Sequence, residues 1–438
     1  MTLNSDDILS TSANRRLGRN VASLSALQAL NYIVPLVTVP YLVRALDASH
    51  YGLISFAQAF ILIFDLITDY GFNLSATRTV AANQSDHEAV SKIFWTTMIA
   101  KTVLMIASGI VIATLVLTVR PLRNFAPLYA VSFLTVLGTV AFPAWLLQGM
   151  EEMRLIAWSQ CAGRLLTIPA IFLWVHHSAD YVLAAAIQSS PQLVASLLAA
   201  PFLRRRFGIG LYLPKRSDLL QAFQGGWHLF LSSLSGFLYS SSTVLILGIV
   251  AGSTEVGYFT AADKIVKAIT SFLNPLTQSL YPHLSALKSI SSEAPLRLLR
   301  SASIWIGAAS LGLSMAAWLF AEPVGAFVFG RNFAESIRVL RILSPLPLLY
   351  GLSAAFGTLT MLVFEMDASM SRILLGCAVL NIVLTAVLAK AFGAAGAALA
   401  VVVTAFVMAC SMALAVQRRR LAVWQTAARS KPLPEVVT

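Results

Sequence analysis

Seven ionisable residues stand inside apolar runs long enough to cross a bilayer: Asp65, Asp69, Lys101, Arg164, Asp263, Lys264 and Lys267. A charge at the centre of a membrane helix costs about 2.5–3.5 kcal/mol on insertion scales, so each of these needs a partner or a task. In FILIFDLITDYGFNLSATRTV (60–80), Asp65 and Asp69 are four apart. That spacing puts both carboxylates on one helical face, with Asn73 on the next turn. Two like charges so close raise one pKa unless a cation lies between them. The pair therefore suits two roles: tying helices together through Lys101 or Arg164, or taking up and releasing a proton or sodium ion. Lys101 and Arg164 sit deep in their own runs, where they either line a cationic lumen or neutralise the two aspartates. Asp263 and Lys267 have the spacing of an intrahelical ion pair, which leaves Lys264 as the uncompensated charge of that trio. Asp263 joins Asp65 and Asp69 as a candidate ion-coupling carboxylate.

Other polar signals are weaker. Arg78 lies near the end of its run, where its side chain can snorkel to lipid phosphates. Arg44, in PYLVRAL, reads as an interfacial anchor. His228, in GGWHLF, is of the residue type most used for proton coupling, but a lone histidine near a helix start has a plainer role in contact with water. HHSAD at His176 is too sparse for a metal site, and Cys161, Cys377 and Cys410 fall inside apolar runs, as small hydrophobes do. No catalytic residue, metal or cofactor is expected.

The elements that must hold these residues are membrane helices. Of 438 residues 58% are hydrophobic and 11% charged, against about 25% charged in a soluble domain, and mean hydropathy is +0.77. Runs of about twenty apolar residues without strand alternation predict an all-α, polytopic membrane protein. Twelve spans are expected near 20–45, 51–77, 93–119, 125–150, 155–177, 180–203, 221–250, 255–285, 301–321, 335–363, 370–390 and 393–417. Prolines inside several of them, such as Pro35, Pro40 and Pro169, mark kinks of the kind membrane bundles tolerate. The polar leader 1–19 shows no cleavage pattern and reads as retained.

Charge sets the expected orientation. With the N-terminus inside, twenty Lys and Arg fall on cytoplasmic segments, among them Arg204, Arg205 and Arg206 and Arg418, Arg419 and Arg420, against at most seven on the other side. Both termini are thus expected in the cytoplasm. The net charge of +12 follows this insertion rule and forms no basic stripe with interleaved aromatics, which argues against nucleic acid as a partner.

The chain also repeats itself. ALDASHYGLISFAQ from Ala45 and VAGSTEVGYFTAAD from Val250 align at an offset of 205, matching Gly52 with Gly257 and Ser55 with Thr260. An offset of six spans brings the second half into the membrane in the same sense as the first. The expected organisation is a leader (1–19), an N-terminal six-helix half (20–203), a cytoplasmic linker (204–220), a C-terminal half (221–417) and a basic tail (418–438). Two parallel halves around a central cavity is a transporter layout.

SLSALQALNYIVPLVTVPYLVRALDASHYGLISFAQAF, then DYGFNLSATRTVA, then the intramembrane Lys101, resembles the bacterial polysaccharide or O-antigen flippases of the multidrug/oligosaccharidyl-lipid/polysaccharide exporter superfamily. GYFTAADKIVKAI and SLYPHLSAL resemble that family's second half. The resemblance implies movement of an undecaprenyl-diphosphate-linked oligosaccharide from the cytoplasmic to the outer leaflet of the bacterial inner membrane. It implies as partners the bilayer and the polysaccharide polymerase and export machinery. On it, Lys101, Arg164, Lys264 and Lys267 become candidate diphosphate contacts in a cavity, Arg78 a landing contact and Arg44 an exit-side one. Two rivals are weighed. An enzyme acting on such lipids needs converging acids, bases or metal ligands outside the membrane, and no loop is long enough to carry them. An ion-coupled drug or small-solute exporter of the same superfamily is expected to have a more apolar, more acidic cavity.

Overall fold

A computed structural model describes residues 5–290, 294–329 and 334–419. Residues 1–4 of the leader, Arg331 and the tail from Arg420 lie outside the described residues. Among those described, all regular structure is helical. Eight helices are long and apolar enough to cross a membrane. They become nine if Arg216–Leu238 and Ser241–Ala251, bent by 52°, count as one broken span.

Two of the eight are of double length. Leu30–Ala82 has 53 residues and Asp367–Arg418 has 52, against about 20 for one crossing. Each is divided where the backbone leaves the helical region, at Asp47 (φ 63°, ψ 172°) and at Gly393 (φ 55°, ψ −134°). Ser253–Ser271 is not among the eight, and it carries Asp263, Lys264 and Lys267. The expected twelve arise only if both divided helices count twice and the bent pair and this charged helix are each added.

The repeat seen in the sequence is present in the backbone. Asp47 and Gly252, equivalent at the offset of 205, share one conformation: φ 63°, ψ 172° and φ 90°, ψ 176°. Glycine adopts it freely. Aspartate reaches it less easily, but its carboxylate accepts the His50 N–H at 3.0 Å and caps the following helix. Just beyond these bends the repeats pack on each other in related pairs. A Cβ on Gly52 would overlap the Ser253 carbonyl, and one on Gly257 would overlap the Ala48 carbonyl. Residues 48 and 253, like 52 and 257, are 205 apart, so the two contacts are one contact made twice about a pseudo-twofold. Ser55 and Thr260, also equivalent, meet hydroxyl to hydroxyl at 3.1 Å. This end of the molecule is tightly closed.

Towards the other end, Tyr70 and Gly71 take successive positive φ values (46° and 76°) and break the second limb before Phe72–Ala82. Gly71 lies against Gly226 and Leu229, and the Tyr70 ring stacks on Phe230 at 5.1 Å and 13°. The segment expected to link the halves is pinned across helix His87–Thr118. Gly210 donates to Ser91 Oγ and accepts from Trp95 Nε1, and Lys92 pairs with Asp218 at 2.9 Å. The helix starting at Arg216 therefore rests its first turns on the N-terminal repeat before reaching its own.

Candidate functional site

A cavity of about 490 Å³ lies between the repeats. The N-terminal repeat lines it with Thr38, Ser55, Gln58, Arg164 and Gln188, and the C-terminal one with Thr260, Asp263, Lys264 and Lys267. Proline at 35 and at 191 bends or begins two of the lining helices, which leaves room beside them.

Arg164 reaches this cavity from helix Met153–Trp174. Its Nε is buried without a hydrogen-bond partner, and among the described residues no carboxylate pairs with it. Lys264 likewise has no carboxylate partner there; its ammonium lies 5.2 Å from the centroid of the Tyr51 ring. Asp263 is bonded to Lys267 at 2.7 Å, as their spacing leads one to expect. The cavity thus holds three cations and one carboxylate, and that carboxylate is already paired. Gln58 donates to Gln188 at 3.3 Å, which leaves the Gln188 amide nitrogen unpartnered. A cavity with free cationic donors at one side and amides and hydroxyls elsewhere can take a multiply charged anion attached to a neutral polar body.

The aspartate pair is not in this cavity. Lys101 Nζ lies 2.8 Å from Asp69 Oδ1 and is only 1% exposed. The contact is a close charge pair, though off the direction a hydrogen bond prefers, since Oδ1 has no partner by hydrogen-bond geometry. Asp65, one turn earlier, has a buried Oδ1 without a hydrogen bond and makes no ion pair among the described residues. The structure therefore gives Lys101 to Asp69 rather than to the cavity lining. Arg78 is exposed beyond the Tyr70–Gly71 break. Arg44 is exposed near the closed end, where its guanidinium donates to the Phe327 carbonyl and stands 5.9 Å from that ring's centroid. His228 is exposed. Among the described residues no group of three or more His, Cys, Asp or Glu could hold a metal ion.

Sequence reasoning overlooked Gln58, Gln188 and Tyr51. Two intramembrane glutamines were a visible signal, because an amide in lipid needs partners much as a charge does. Tyr51 stood in the open within the repeated motif.

A family profile described as "Polysaccharide biosynthesis protein" matches residues 17–288. A protein of Escherichia coli (strain K12) named for O-antigen transport is 32% identical over 407 residues, which cover 93% of this chain and 98% of that one. The chain belongs to the polysaccharide biosynthesis protein family. Solved structures show how this family member is built. An inward-facing multidrug resistance MATE transporter of the MOP superfamily matches 93% of this chain and 100% of its own, with a TM-score of 0.71 at 16% identity. The lipid II flippase MurJ, in an inward closed conformation, matches 90% of this chain and 87% of its own, with a TM-score of 0.71 at 12% identity. At such identities the likeness is one of fold. It makes this a helical fold with the spans of a multi-pass membrane protein.

Proposed function

We propose that the protein is a flippase, a transporter and not an enzyme, which moves undecaprenyl-diphosphate-linked oligosaccharide units from the cytoplasmic to the outer leaflet of the bacterial inner membrane. The units serve cell-surface polysaccharide synthesis and pass to polymerase and export machinery on the far side. The family match, the relative named for O-antigen transport and a fold shared with a lipid II flippase support this reading. The observation that carries it is the central cavity, where Arg164 and Lys264 stay uncompensated. Cations without protein carboxylates are poised for charge-assisted hydrogen bonds to a diphosphate. Gln58, Gln188 and the hydroxyls offer the neutral glycan polar contacts without demanding one sugar identity. A drug exporter's cationic cargo would be repelled by the same surface.

In this reading the chain has twelve spans in two halves, 20–203 and 221–417, joined by the linker 204–220, with leader and basic tail in the cytoplasm. The closed end near Asp47 and Gly252 then faces outward, and the cavity receives substrate from inside. Arg78 is the inner landing contact for the diphosphate, and Arg44 the exit-side contact. Asp69 is held by Lys101 in this state, while Asp65 remains available to an ion; Asp263 plays the corresponding part when Lys267 lets it go. Deleting the gene tests the proposal: lipid-linked oligosaccharide must build up facing the cytoplasm while its synthesis continues. Normal delivery to the outer leaflet in the deleted strain, with no second flippase gene present, would overturn it.

A further inference from the structure

Lys264 is held in the cavity by a group that cannot neutralise it. Its ammonium stands over the Tyr51 ring at 5.2 Å, and the one carboxylate beside it in sequence, Asp263, is bonded to Lys267. Tyr51 is 0% exposed, and its buried hydroxyl has no hydrogen-bond partner. The ring and not the hydroxyl is therefore what this site uses. An aromatic face attracts a cation through its quadrupole, and it leaves the ammonium its full charge for a bound anion. Lys101, locked on Asp69, is the contrasting case in the same molecule.

Tyr51 and Lys264 also belong to different repeats. Tyr51 adjoins Gly52, which packs on Ser253, and Lys264 lies one turn beyond Thr260, which bonds Ser55. Opening this end means separating those contacts, and that takes the ring away from the ammonium. We infer that Tyr51 is a positioning residue: it fixes Lys264 for a diphosphate while the Asp47/Gly252 end is closed and releases it when that end opens. The inference rests on the flippase reading and adds to it a reason for directional release. A ligand drives a two-state transporter only through its different affinities for the two states, and here one contact is available in one state alone.

The test is a titration of the purified full chain with farnesyl diphosphate as the probe. Tyr51→Phe should bind within about twofold of the parent, since the lost hydroxyl had no partner. Tyr51→Leu should weaken binding roughly 2- to 30-fold, the range for a cation–π contact. In a Lys264→Ala background Tyr51→Leu should add nothing, because the two residues act as one unit. Pentafluorophenylalanine at position 51 keeps the ring's shape but reverses its quadrupole, so it must weaken binding even where the leucine variant fails to fold. Parent-like affinity with the fluorinated ring, or an equal loss from Tyr51→Leu with and without Lys264, overturns the inference. A parent protein that does not bind farnesyl diphosphate overturns it together with the flippase reading. A parent that binds and is weakened by Lys264→Ala but not by Tyr51→Leu overturns the inference alone.

Discussion

Removing Lys101 should destabilise the fold far more than removing either cavity cation. Lys101 is 1% exposed and Asp69's side chain 20%, with the ammonium and carboxylate 2.8 Å apart. Breaking a buried pair by deleting one partner costs about 3–5 kcal/mol, chiefly because a charge is left without compensation. Asp69 keeps some exposure to solvent, so Lys101→Met should cost somewhat less, about 2–4 kcal/mol. Asp65, one turn away and already unpaired, adds repulsion and pushes the figure upward. Asp69→Asn strands an ammonium that has almost no contact with solvent, and should cost at least as much. The double variant Asp69→Leu/Lys101→Met removes both charges and should regain most of the loss, because apolar replacement of a buried pair is often neutral. Unfolding in mild detergent, followed for the parent, both single variants and the double variant, closes a double-mutant cycle. A coupling below about 0.5 kcal/mol, within the scatter of independent sites, would refute the reasoning and leave Lys101 to be explained as a substrate contact.

Three further outcomes follow from the geometry. Gly52→Val or Gly257→Val puts side-chain atoms where the Ser253 or Ala48 carbonyl lies, so the closed end should open, and a cysteine at Ser49 should react faster with a membrane-impermeant thiol reagent; an unchanged rate would show that the glycine contacts do not hold that end shut. Asp65→Asn should make export in proteoliposomes insensitive to an imposed proton gradient while the protein still inserts, and a variant that follows the gradient like the parent would remove Asp65 from the coupling role. Outside the spans, the Lys288 ammonium, 2.8 Å from Glu365, holds that carboxyl below the usual glutamate range. The folded pKa is the lower one, so the pair's contribution is complete above the ordinary glutamate range and is lost as pH falls through the lowered value. Glu365→Gln should flatten that acid limb of the stability profile slightly, since Glu365 is 83% exposed, and superimposable profiles for the two proteins would contradict it.

The sequence made the polar pairings legible because they are local or nearly so. Asp263 with Lys267 is a matter of helical spacing, and an aspartate partner for Lys101 follows from the cost of leaving either charge alone in lipid. The pseudo-twofold was legible as well, since Gly52 and Gly257 mark two close approaches that only a missing Cβ allows. What could not be read was which polar residues share the cavity. That depends on how two repeats lean together, and the same charge cost explains a lysine facing a lumen and one facing an aspartate. Lys101 and Lys264 look alike in sequence, yet one is locked and the other free. Charge bears on the span count as well. The helix that carries the most cavity charge, Ser253–Ser271, is not among the eight long apolar ones.

The central claim is that uncompensated cations between the repeats bind the diphosphate of a lipid-linked oligosaccharide and carry it across. The most direct measurement is translocation of a labelled undecaprenyl-diphosphate oligosaccharide in proteoliposomes holding the parent chain, Arg164→Ala, Lys264→Ala or both. Losing one charge-assisted contact is worth about 1.5–3 kcal/mol. Each single variant should therefore bind and flip the lipid roughly ten- to a hundredfold less well at limiting substrate, with stability unchanged, and the double variant should be near background. Parent-like translocation by a stably folded Arg164→Ala/Lys264→Ala protein would contradict the account.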